Sequence, residues 1–171
     1  MLLEREKLDE AERLYRHVVE QGPPTGEFLV PLCTTLLEAG RTTAARDFLN
    51  NAVKLSPDSS ELSMLKVRTQ LALGDASEAL EHAQKLLRDQ PDSEEIQQLV
   101  GRVLLSSGEA VQARELLMPA AEKMLAQSDY LGAQKILQEL LKAVPQDVQV
   151  LNLAMRAFKP SGDEEMIFTL R

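Results

Sequence analysis

Few side chains in this sequence carry nucleophilic or metal-binding chemistry, and they are scattered. The histidines are His17 and His82, and Cys33 stands alone. Two acidic runs, Asp92-Ser93-Glu94-Glu95 and Asp163-Glu164-Glu165, contain ligand types that could mimic a metal site. Both fall where a helix is expected to start, and carboxylates there are favoured by the helix dipole. There is no Gly-x-Ser-x-Gly elbow, no Gly-rich loop ahead of Lys-Ser/Thr and no His-Glu-x-x-His pair. A single cysteine makes neither an internal disulfide nor a Cys-rich zinc site. Following Leu32 in a helical stripe, Cys33 is expected to be a buried packing thiol. The two histidines are expected at solvent-facing or edge positions. No catalytic, cofactor-binding or metal-binding residue is assigned, and an enzyme is not expected.

Composition agrees. Asp and Glu number 27 against 19 Lys and Arg, for a net charge of -8. Nucleic-acid binding needs a basic surplus to neutralise phosphates, so the sign excludes that class. Apolar residues make up 44%, enough for a core, yet aromatics are 4% and Trp is missing. The core must be Leu, Ala, Val and Met, which suits helices. No apolar run approaches the roughly 18 residues of a membrane span. The charged start, Met1 to Glu10, lacks a signal-peptide apolar region. A cytoplasmic protein without membrane insertion is expected, with the periplasm open if a signal peptide was removed.

The elements that position these residues are set by a repeat. Pro23, Pro57 and Pro91 share one spacing, as do Gly40, Gly74 and Gly108, and Ala45, Ala79 and Ala113. The common period is about 34 residues. Between these columns the pattern is helical. Ala45, Phe48, Leu49, Ala52, Val53 and Leu55 form one amphipathic stripe; Ala79, Leu80, Ala83, Leu86 and Leu87 form the next. Each glycine ends a helix with an open backbone, and each proline stops the following one. Asp58 with Glu61, and Asp92 with Glu95, have the spacing of capping boxes.

This unit resembles the tetratricopeptide repeat, a pair of antiparallel helices, in its turn glycine, the alanine five residues later and the closing proline. The family's early aromatic is missing; Leu29, Ser63 and Gln97 stand in its place. The resemblance implies an all-α, right-handed helical-pair solenoid as one domain over 1–171. Helix pairs are expected at about 26–57, 60–91, 94–127, 119–145 and 147–171, with 3–21 a half-repeat. The period breaks after Gly108. A degenerate turn recurs at Ser128-Asp129-Tyr130, too early for a full repeat. The stripe Ala113, Leu117, Ala121, Met124 and Leu125 runs through Pro119, so one long helix at about 109–127, kinked at Pro119, is favoured over two short ones. Gly162, 34 residues after Ser128, is expected to restore the register.

The resemblance also implies binding of a partner protein or peptide, with first helices lining a concave groove. Counting from first helices that start at Gly26, Ser60, Glu94 and Val148, the ninth positions are Thr34, Arg68, Arg102 and Arg156. The fifth positions include Val30, Met64 and Gln98, with Asn152. Three arginines in one column would clamp the carboxylates of an acidic partner. The competing reading pairs each with a nearby acid such as Glu61 or Glu95. The carboxylate clamp of the family's chaperone-binding members is not matched: Val30, Thr34, Leu65, Glu95 and Leu99 occupy its places. The expected function is a scaffold or adaptor. The alternative is a docking region of a larger enzyme or of a secretion or assembly machine. Half-repeats at both ends are expected to mark a fragment of a longer protein or an end that binds something, a second copy included.

Overall fold

The computed structural model describes Asp9, Arg13 and residues 26–55 and 58–161. Its helices follow the repeat. They are α1 (Gly26–Glu38), α2 (Thr42–Leu55), α3 (Ser60–Leu73), α4 (Ala76–Asp89), α5 (Glu94–Ser106), α6 (Ala110–Ala126), α7 (Tyr130–Ala143) and α8 (Val148–Phe158), then a 3-10 turn, Lys159–Ser161. There is no strand among the described residues.

One local motif makes the tight turns. Gly40, Gly74 and Gly108 have φ of 73°, 85° and 81°. Each of these N–H groups donates back to the carbonyl of Leu37, Leu71 or Leu105, and the next residue's N–H reaches Leu36, Gln70 or Leu104. This is the Schellman arrangement, which satisfies carbonyls orphaned at a helix end and needs a left-handed residue. The degenerate turn repeats it. Ser128 donates to Leu125, Asp129 to Met124, and Ser128 takes φ 62° without being glycine.

The helix starts correct one expectation. The caps are not Asp58 and Asp92 but Ser59 and Ser93, whose hydroxyls accept from the N–H of Leu62 and Ile96. Glu61 and Glu95 then fall one place short of the capping-box position. They remain in the first turn, where their charge suits the dipole. Asp129 and Asp147 cap α7 and α8.

Residues 110–126 form one helix with Pro119 inside it, so the long-helix reading holds and the two-helix one does not. The apolar stripe decides this: Ala113, Leu117 and Ala121 are fully buried, while Pro119 is exposed and removes only one internal N–H.

The chain divides into two compact units, 1–82 and 83–171. In the first, α1 packs on α2, α2 on α3, and α1 beside α3. Its core holds Leu32, Cys33, Leu36, Ala45, Phe48, Leu49, Ala52, Leu62 and Leu65. In the second, α5 to α8 pack in succession, with α5 beside α7 and α6 beside α8. Its core centres on Leu117, Ala121, Ile136, Leu137, Leu140, Val150, Leu153 and Phe158. Apart from Phe48 and Phe158, both cores are aliphatic and alanine-rich, and helices approach closely. Gly101 shows how closely: a Cβ there would lie 2.5 Å from Leu117 Cγ. His17, Gly162 and the acidic run 163–165 lie outside the described residues.

Candidate functional site

The groups with chemical potential do not converge. Among the described residues no three His, Cys, Asp or Glu side chains gather as a metal site. Cys33 is fully buried, its Sγ 4.0 Å from the Ala45 carbonyl oxygen, and burial pushes its thiol up to about 12. His82 is half-buried and occupied on both nitrogens. Nδ1 lies 2.8 Å from the Glu78 carbonyl and must donate to it, so Nε2 accepts from Lys66 Nζ at 2.8 Å. The acidic run at 92–95 does cap work through Ser93, and Glu94 pairs with Lys123 of α6.

The candidate groove residues are accessible in both units. In the first, Val30 and Thr34 on α1 and Met64 on α3 are half-buried, and Arg68 on α3 is exposed. Because α1 and α3 are neighbours one repeat apart, Val30 stands in register with Met64 and Thr34 with Arg68. The Thr34 hydroxyl donates to the Val30 carbonyl at 3.0 Å. In the second unit Gln98 is half-buried, while Arg102 and Arg156 are exposed.

Helix direction corrects the arginine column there. Short turns join the helices of the unit, so successive ones run antiparallel. The contacts agree. Glu94 at the start of α5 meets Lys123 near the end of α6. Gln134 early in α7 donates to the Ala157 carbonyl late in α8 at 2.9 Å. Arg114 near the start of α6 meets Asp147 at the start of α8. Thus α5 and α7 are parallel partners, and α6 and α8 are the other pair. Arg102 sits near the end of α5, facing Glu139 of α7, with Nε 3.2 Å from Oε2. Arg156 belongs to α8, beside Ala157, at the opposite end of the unit. Counting from repeat starts put both arginines on first helices, because that count let the one long helix both end a repeat and begin the next. With one helix fewer, the layer assignment flips after Arg102.

Sequence reasoning therefore missed what lies beside Arg102. A cleft of about 510 Å³ opens between the ends of α5 and α7, lined by Arg102, Leu105, Ser106, Glu139, Lys142 and Ala143. The apparent second-helix pattern of 130–143 hid Glu139 and Lys142; only the parity of helices reveals them.

The tetratricopeptide repeat family model matches residues 2–69 and 70–124. No curated protein sequence matches significantly. Among solved structures, a tetratricopeptide repeat protein from Parabacteroides merdae aligns over 98% of this chain and 72% of its own, at 14% identity and a TM-score of 0.59. MamA aligns over 97% and 85%, at 17% and 0.57. PilF of Pseudomonas aeruginosa aligns over 98% and 83%, at 15% and 0.57. At such identities these likenesses concern the fold. No described helix is long and apolar enough to cross a membrane.

Proposed function

Because this chain belongs to the tetratricopeptide repeat family, we propose that it is a non-catalytic interaction module, a scaffold or adaptor, holding a partner protein or peptide on the first helices of its repeats. The observation that carries this reading is the register of accessible positions on neighbouring helices: Val30 with Met64, and Thr34 with Arg68. A solenoid binds through such a face because each repeat offers the same position at a fixed step. In the second unit, taken by itself, Gln98 and Arg102 on α5 are the candidate contacts. The partner is expected to be acidic, since a guanidinium recognises a carboxylate with two donors. A cytoplasmic location and self-association belong to the same proposal.

The test is affinity capture with mass spectrometry. Arg68→Glu together with Arg102→Glu should leave the helical signal and melting unchanged and abolish partner capture. Arg156→Glu should leave capture intact, because α8 pairs with α6. Unchanged capture by the double variant counts against the reading.

A further inference from the structure

We infer that the cleft between the ends of α5 and α7 is a subsite for a side-chain carboxylate on an extended acidic segment of the partner; this rests on the interaction-module reading above. Its volume of about 510 Å³ lies within the roughly 300–1,000 Å³ of ligand clefts. Two cations, Arg102 and Lys142, face one carboxylate, Glu139. The side chains lining the cleft thus carry one surplus positive charge on a chain of net charge -8, and that contrast favours an anionic occupant. Lys142 makes no ion pair among the described residues.

The Arg102–Glu139 pair is exposed on both sides, at 45% and 39%. Water screens such a pair, so it costs little to exchange. An arriving carboxylate bridges the Arg102 guanidinium and the Lys142 ammonium and releases Glu139. Leu105, only partly buried against the core, and Ala143 give an apolar flank. The segment that fits therefore places Asp or Glu beside an apolar residue. The carbonyl ends of the two helices account for a cation in the last turn. They do not account for an open cleft between paired and unpaired cations.

The probe is the unlabelled peptide acetyl-Leu-Glu-Glu-Leu-Glu-Glu-amide, compared with its Gln-for-Glu twin by isothermal titration calorimetry against the whole chain at low salt. Blocked ends leave side chains as its only anions. The acidic peptide should bind and its twin bind at least about tenfold more weakly. Lys142→Gln and Arg102→Gln should each weaken binding about two- to fivefold. Glu139→Gln should tighten it, since it removes the competing carboxylate; a merely structural pair would not give that sign. Arg156→Gln should change nothing. Equal binding of the two peptides overturns the subsite. So does a Lys142→Gln variant that melts earlier yet binds as before, or a weakened Glu139→Gln. If the chain captures a partner that Lys142→Gln does not disturb, the subsite falls and the module reading stands. A wild-type chain that captures no partner overturns both.

Discussion

Arg114 Nε, near the start of α6, stands 2.6 Å from Oδ2 of Asp147, the residue that caps α8. The contact is a close ion pair. A terminal guanidinium nitrogen donates to Gln149 Oε1. The link ties the starts of two parallel helices, α6 and α8.

Asp147 should give a measurable acid dependence. The Val150 N–H, then the Arg114 charge and the Gln149 N–H, hold its carboxyl below the ordinary 3.8, against desolvation. A depressed folded value stabilises the protein above the unfolded value, and that stability is lost as pH falls through the folded one. Urea midpoints taken from about pH 6 to about pH 2.5 should fall more steeply for the native chain than for Asp147→Asn. Asn keeps the cap and does not titrate. Parallel curves would sink the account.

Ser128 adopts φ 62° in a turn where the equivalent residues are glycine. A side chain in this region costs about 1–2 kcal/mol, partly offset by the entropy glycine loses on folding. Ser128→Gly should therefore stabilise by about 0.5–1 kcal/mol, read as a higher denaturant midpoint at unchanged slope. A lower midpoint would mean that the hydroxyl contributes more than the backbone loses.

Gly101 and Leu117 are a tight pair, and Gly101→Ala forces Leu117 to move. Overpacking of this kind costs about 1–3 kcal/mol. Leu117→Ala alone costs about 2–5 kcal/mol by leaving a cavity. Together the two changes should cost clearly less than their sum, because the new methyl enters the space the leucine vacates. Strict additivity in the double-variant cycle would contradict the packing.

Cys33 should act on stability at the alkaline side. Burial raises its thiol from 9.0 to about 12. The unfolded chain ionises first, so stability present below pH 9.0 should decline as pH rises toward 12. Cys33→Ala should remove that component from the difference curve. The native thiol should also react with a thiol reagent only as fast as unit 1–82 opens; prompt labelling would show that it is not buried.

The sequence by itself determined the helices, the turns and their chemistry. Periodic alanines and leucines define stripes that only helices bury, and a left-handed turn residue is legible wherever glycine recurs at a fixed step. Even Ser128 was legible, because the register of Ala133 and Pro145 pointed to a turn its own residue type did not favour. The inert Cys33 and the accessible Arg68 and Arg102 followed from the same positions. Caps were legible only to within one residue, since Asp and Ser both accept a backbone N–H and neighbour each other at both sites. What tertiary structure alone decided is which helix faces Arg102. Spacing pointed to Arg156; packing placed Glu139 and Lys142 there. The reason is physical: a single proline weakens one helical hydrogen bond, whereas breaking α6 would expose a buried stripe of Leu117 and Ala121. The helix stays whole, and every later helix changes layer.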